Sequence, residues 1–383
     1  MNVNQILMPD KTIYGNGAID SLGTIAAQYG KHVLLISDPS MEKIGLVEKC
    51  KELLKQASLT YVIYTAIHAE PTDEYVTEAL NLLMLEKCDV IVAVGGGSCI
   101  DTAKAVGIVA TNDGPFADYV IGQRPFLVKS IPVIAAPTTA GSGSEVSQVT
   151  VIIDTLTHIK MMKSDPLLMP VVALVDPLLT LSCPPHVTAA TGVDALCHAI
   201  ESYLSVKAHP ITELYSLRAV ELIAQNLRTV YHNGQNVEAR ANLALGSMLA
   251  GMAFSNSSVT LVHGMSRPIG ALFHVPHGIS NAMLLPIVLE FVQDACPARM
   301  KEIGRKVDGT KNVVLAIKQL CCDLGITNLK SYGIDYAKFS ANVEKMASDA
   351  IDSGSPANTP QLPTHTEIVE LYHRAYDYDF SAQ

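Results

Sequence analysis

Through the first half of the chain, short unbroken apolar runs alternate with stretches whose apolar positions recur at helical spacing. The run HVLLISD is followed by a helical pattern through Lys49 to Leu54, then TYVIYT, a second helical pattern through Val76 to Leu85, and DVIVAVGGG. Strand, helix, strand in this order predicts a parallel, doubly wound sheet. The runs VIVAV and PVIAA show no polar alternation, as expected of strands covered by helices on both faces. Near Pro184 and Pro185 the texture changes. Beyond them TELYSLRAVELIAQNLRTVY and EARANLALGSMLAGMAF carry helical periodicity with few β-branched runs. The chain therefore reads as an α/β domain over 1–184 and an all-α domain over 185–383. No repeat, low-complexity tract or long linker separates them, so the two are expected to pack directly and share a cleft.

Composition narrows the partners. The 383 residues, 49% of them hydrophobic, suffice for a large core and two or three domains. The formal charge of -10 comes from interspersed acidic and basic residues without a Lys/Arg cluster, which argues against nucleic acid or an anionic membrane and for a small-molecule substrate. The eight cysteines, Cys50, Cys88, Cys99, Cys183, Cys197, Cys296, Cys321 and Cys322, form no C-x-x-C pair and read as reduced thiols. The start MNVNQILMPD lacks a basic segment with a long apolar stretch, and apolar runs elsewhere are broken before membrane-spanning length. A cytoplasmic protein is expected. The β-rich N-terminus NVNQILMPDKTIY is expected to pair across a homodimer, the commonest oligomer.

Two segments offer metal chemistry. In GVDALCHAIE, helical spacing puts Asp194 and His198 on one face, one turn apart. In LVHGMSRPIGALFHVPHG, His263 and His277 stand fourteen positions apart across Pro268, Gly270 and Pro276, so a turn or a helix start has to bring them together. One carboxylate and three imidazoles suit iron(II) or zinc better than magnesium or calcium. Taken alone, Asp194 and His198 also read as a helix-start carboxylate and a core histidine. Cys197, turned about a hundred degrees from His198 along the helix, reads as core.

A second feature lies in DVIVAVGGGSCIDTAKAVG, where Gly95, Gly96 and Gly97 turn a buried strand into a helix. Ser98 and Asp101 have the spacing of a capping box, which would start the helix with its free N–H groups aimed at an anion. A plain strand-to-helix turn fits the same residues. The loop in IPVIAAPTTAGSGSE adds the hydroxyls of Thr138, Thr139, Ser142 and Ser144. Two such loops suit a long phosphorylated ligand. Asp38, closing HVLLISD, stands where an acidic strand-end residue bonds the ribose hydroxyls of NAD and repels the 2′-phosphate of NADP, or serves as a turn residue before Pro39.

From YGNGAIDSLG through GGGSCIDTAK, PTTAGSGSE, KMMKSDPLLMPVVALVDP, ATGVDALCHAIESY and VHGMSRPIGALFHVPHG to EIVELYHRAY, the chain resembles the iron-containing, or group III, alcohol dehydrogenases. That group includes lactaldehyde reductases and 1,3-propanediol dehydrogenases. The resemblance implies a Rossmann-like first domain, a helical metal-binding second domain, and Asp194, His198, His263 and His277 as metal ligands. It implies that Gly96, Gly97, Ser98 and Asp101 line the cofactor diphosphate and that Thr138, Thr139 and Lys160 contact the nicotinamide half. Asp38 then favours NAD over NADP. Hydride transfer between NAD(H) and a short-chain primary alcohol or aldehyde is expected, with the substrate oxygen polarised by Fe2+ or, failing that, Zn2+.

Two positions depart from the family pattern. Arg267 stands where many members carry a histidine beside the substrate, and arginine cannot act as a general base. His274 is the expected substitute in proton transfer, and Arg267 is expected to favour a substrate with a negative group or to form a salt bridge. Glu70, in AEPT, replaces a frequent Asn. A glycerol-dehydrogenase-like zinc polyol dehydrogenase shares the two-domain plan, but His198 argues for the four-ligand branch. Retention of all four ligand candidates argues against a catalytically silent NAD- or metal-binding homologue.

Overall fold

The computed structural model describes residues 3–157, 159–309 and 312–381. The chain divides into two compact units, one of Ile6–Ser182 and one of Cys183–Gln383 with the N-terminal residues up to Gln5.

The first unit is built on eight strands: β1 (Lys11–Tyr14), β2 (His32–Ile36), β3 (Thr60–Tyr64), β4 (Val90–Gly95), β5 (Val133–Pro137), β6 (Val149–Ile153), β7 (Lys160–Ser164) and β8 (Val172–Val175). Six of them form one sheet in the order β1-β8-β5-β4-β2-β3, every pair parallel, while β6 and β7 make a separate antiparallel pair. The apolar runs lack polar alternation because both sheet faces are covered. Leu34, Ile36, Ile91 and Ala93 enter one apolar cluster, and Val33, Leu35, Val90 and Val92 enter the other. The direction in which successive strands are added reverses between β2 and β4: β2 leads outward to β3, β4 leads the other way to β5. A ligand in a sheet of this kind binds beyond the carboxyl ends of the strands at that reversal. Asp38 follows β2 there, and Gly95–Gly97 end β4 and open the helix α1 (Gly97–Val109).

Lys11–Tyr14 is an edge strand of the chain's own sheet, in register with Val172–Val175. Its backbone groups on that side pair with β8, and as the end strand of the order it has no neighbour in this sheet on the other.

The second unit is helical, with no strand among its described residues. Its site-bearing helices are α2 (Pro185–Leu204), α3 (Val237–Ser257), α4 (Leu261–Phe273) and α5 (His277–Val292). Pro185 occupies the first helical position of α2, where its fixed φ helps and its missing N–H is harmless. Close approaches are made by glycine. A Cβ on Gly192 would lie 2.3 Å from Leu227, and one on Gly278 would lie 2.1 Å from the carbonyl oxygen of Ala190. Gly278 thereby lets the first turn of α5 sit against α2. All eight cysteines are free thiols. No single helix among the described residues is long and apolar enough to cross a membrane.

Candidate metal centre and cofactor loops

Asp194 and His198 lie on α2, His263 near the start of α4, and His277 at the start of α5. The predicted convergence across fourteen residues is achieved by two helix starts joined by a short turn. His274 ends α4 in a left-handed conformation (φ 56°) and Pro276 precedes α5. Asp194 Oδ1 is 3.6 Å from His263 Nε2 and 3.8 Å from His277 Nε2. Asp194, His263 and His277 each bring one ligand atom, all within 4.8 Å of one another. One divalent ion with bonds of about 2.0–2.2 Å spans such a triangle, and a carboxylate with imidazoles is a donor set for zinc or iron(II). His198, 6% exposed, lies beside the three rather than among them. Its ring stacks on Phe254 at 4.3 Å and on His263 at 4.6 Å.

Electrostatics in this unit favour a bound cation. Burial opposes charge on Asp194, yet the rings of His198, His277 and His263 outweigh it and hold the carboxyl well below its usual range. Burial also disfavours charge on His263, but Glu201 and Asp194 push its pKa up to about 9. Two carboxylates thus favour positive charge between them, which the ring's own proton supplies.

Two residues the sequence reading passed over complete the cluster. Glu201, 1% exposed, accepts a hydrogen bond from Nδ1–H of His263 on Oε2. Its Oε1 accepts from Thr260 N at 3.1 Å, Thr260 Oγ1 at 2.7 Å and Val262 N at 2.8 Å, so the same carboxylate caps the first turn of α4. With Nδ1 as donor to Glu201, the neutral ring carries its lone pair on Nε2, the nitrogen nearer Asp194. Asn281, fully buried, donates from Nδ2 to Asp194 Oδ1 at 2.7 Å and lies 3.2 and 3.3 Å from Nε2 of His263 and His277. Its Oδ1 is buried with no hydrogen-bond partner among the described residues. Spacing carried a signal for both: Glu201 is three residues after His198 and Asn281 four after His277, each on its helix's ligand face.

In the sheet unit the two predicted loops meet. Thr138 N donates to Gly95 O at 3.0 Å. A Cβ on Gly97 would lie 2.9 Å from the Ser142 side chain, and one on Gly96 would lie 3.7 Å from Thr139. Asp38 caps the helix Pro39–Lys43, Oδ1 accepting from Ser40 N at 2.8 Å and Met41 N at 3.1 Å, while Oδ2 lies beside Cys99 Sγ and the Gly95 Cα. Asp38 thus serves the turn before Pro39, as one of its two readings expects, and its second oxygen lies beside the glycine loop. The capping box does not form. Gly96 is the N-cap of α1 without a side-chain cap, Ser98 lies inside the first turn, and Asp101 turns away to bond Ser144 Oγ and, at 3.0 Å, Val151 N. A helix entered directly from a buried strand at Gly96 leaves Ser98 two positions too late to cap it. Asp101 fastens the Thr138–Ser144 loop and β6 to α1. Lys160 pairs with Glu70 at 2.8 Å.

Residues 9–177 match the family "Iron-containing alcohol dehydrogenase", and residues 188–376 match "Fe-containing alcohol dehydrogenase family, C-terminal". The chain is 37% identical to Long-chain-alcohol dehydrogenase 1 of Geobacillus thermodenitrificans, over 98% of each chain. It is 34% identical to the NAD-dependent methanol dehydrogenase of Bacillus methanolicus, over 97% of this chain and 100% of that one. A solved 1,3-propanediol oxidoreductase superposes with a TM-score of 0.93 at 34% identity, covering 98% of this chain and 100% of its own. The chain belongs to the iron-containing alcohol dehydrogenase family. As a member of it, the protein is a metal-dependent alcohol oxidoreductase. Within this alcohol dehydrogenase Arg267 is half-buried on α4, four residues and about one turn after His263. Burial lowers its pKa from the ordinary value and the Glu201 charge acts the other way. His274 is exposed at the end of α4 and is not one of the three residues whose ligand atoms meet around Asp194.

Proposed function

We propose that this enzyme moves hydride between NAD(H) and short-chain primary alcohols and aldehydes, with Asp194, His198, His263 and His277 holding the metal. The observation that carries the reading is the meeting of Asp194 Oδ1 with Nε2 of His263 and of His277. When bound, a divalent ion there polarises the substrate oxygen, and the nicotinamide carries the electrons.

This chain's residues supply the rest. Asp194 brings one negative charge and the imidazoles none, so the donor set leaves a divalent ion net positive and able to stabilise charge on oxygen. Gly96, Gly97 and Ser98 present the N-terminus of α1 to the cofactor diphosphate, with Asp101 holding the neighbouring loop in place. Thr138, Thr139 and Lys160 face the nicotinamide half, Glu70 restraining the Lys160 ammonium. The Asp38 carboxylate selects NAD through the ribose hydroxyls. His274, exposed to water, exchanges the alcohol proton with solvent. The NAD dependence printed for the Bacillus methanolicus relative supports the cofactor. A homodimer in the cytoplasm completes the proposal.

Arg267 places a fixed positive charge one turn from His263, and we extend the substrate class to aldehydes with an anionic end. The test is NADH oxidation with propanal, lactaldehyde and succinic semialdehyde, on metal-stripped protein reloaded without oxygen with iron(II) or zinc. Restoration by iron(II) supports the reading, and no turnover with either metal overturns it. Arg267→His should lower kcat/KM for succinic semialdehyde relative to propanal about tenfold, the loss of one charged hydrogen bond. An unchanged ratio rejects the anionic class.

A further inference from the structure

We propose that Glu201 is a positioning residue of the metal centre, fixing His263 as an Nε2 donor and locking the start of α4 in one step. The inference rests on the reading that Asp194, His263 and His277 hold the ion.

Its geometry is specific. Glu201 Oε2 accepts from Nδ1–H of His263, and Oε1 accepts from Thr260 N, Thr260 Oγ1 and Val262 N, with His263 N at 3.4 Å. One oxygen thus serves the helix start and the other serves the ring. The turn before α4 is held under strain: Ser258 has φ 69° and ψ 164°, a region that side-chain-bearing residues seldom occupy. Asn358 clamps it, Nδ2 donating to Ser258 Oγ at 3.0 Å and Val259 O at 3.1 Å. The His263 backbone is therefore set by the turn and its ring by Glu201. A carboxylate behind a ligating imidazole fixes the tautomer and raises the basicity of the ligating nitrogen.

The amide analogue separates this role from a general structural one. In the Glu201→Gln variant a single oxygen is left, and the backbone donors of Thr260 and Val262 claim it, since an NH2 group there would meet donor against donor. The NH2 group then faces His263 Nδ1 and makes it the acceptor. The proton moves to Nε2, and the lone pair a metal needs is lost.

The experiment measures Co2+ affinity of metal-stripped full-length protein by competition with a chromophoric chelator, together with the ligand-field spectrum of bound Co2+. Wild type, Glu201→Gln, His263→Ala and Thr260→Val are compared. Thr260→Val removes one donor to Oε1 but leaves the Oε2 contact with His263. We expect Glu201→Gln to weaken Co2+ binding by about 10–100-fold and to alter the spectrum. Thr260→Val should lower the melting temperature and keep the affinity within about twofold. Glu201→Gln binding Co2+ like wild type, with the same spectrum, overturns the proposal, as does an equal loss of affinity in Thr260→Val. If His263→Ala binds as tightly as wild type, the metal-site reading itself fails, and that outcome is distinct from the first two.

Discussion

Asp38 works with both carboxylate oxygens: Oδ1 starts a helix through Ser40 and Met41, and Oδ2 faces the glycine loop. Asparagine caps a helix about as well as aspartate, so Asp38→Asn removes the charge and keeps the fold. The kcat/KM ratio of NADPH to NADH should rise about tenfold or more in that variant, because a 2′-phosphate no longer meets a carboxylate. An unchanged ratio would remove Asp38 from cofactor selection. Single residues were legible where their chemistry is unusual for their setting, as with Asp194 and His263. Glu201 and Asn281 were not. Each lies on a ligand face at helical spacing, but so do several apolar neighbours, and only the approach of a second helix shows which face is lined by donors and acceptors. Asp101 was seen and misassigned, because its spacing from Ser98 fits a cap while its carboxylate is claimed by Ser144 and Val151, more than forty residues away in sequence.

At the scale of elements, the start of α5 is placed by an absent side chain. With Gly278→Ala the new Cβ meets the Ala190 carbonyl at 2.1 Å, and since backbone cannot yield, His277 has to move away from Asp194. Stability should fall by about 1–3 kcal/mol, as in overpacked cores. Metal affinity should fall at least tenfold with it, by the same chelator competition. A variant that keeps both would show that the contact between α5 and α2 does not set the site. The alternation of strand and helix was plain in the sequence because VIVAV and PVIAA are apolar throughout, and β4 and β5 are buried along their whole length. The β1 edge was less plain: Lys11–Tyr14 carries no strong pattern, and its partner, Val172–Val175, lies some 160 residues on. Long-range pairing leaves little trace in a local window.

Across the sheet unit, a buried charge network ties α1 to the loop after β5. Lys104 Nζ donates to Ser144 Oγ at 2.7 Å, Ser147 O at 2.8 Å and Val149 O at 2.9 Å, and Asp101 and Glu145 supply the balancing charges. Burial pushes Glu145 up to about 7, its own N–H and Lys104 opposing. Burial brings Lys104 down to about 8, with Asp101 and Glu145 opposing. A carboxyl raised in the fold favours folding while it is protonated, so this contribution is lost as pH rises through about 7. Between about pH 5 and 7 Lys104 stays charged in both states and adds no slope of its own. Glu145→Gln should therefore gain stability relative to wild type across that window, read as a growing difference in melting temperature. Parallel curves would contradict it.

The α/β-then-helical plan was visible in the chain because each part's periodicity is uniform, and Asp194, His263 and His277, whose ligand atoms meet, stood out because ligand types are rare. The central claim is that a metal held by Asp194, His198, His263 and His277 is required for NADH-linked reduction of an aldehyde. NADH oxidation with propanal, measured on stripped and iron(II)-reloaded wild type beside His263→Ala, tests it most directly. The account predicts no rate in stripped protein, recovery in wild type and none in His263→Ala. Full turnover by stripped protein, or equal recovery in His263→Ala, would contradict it.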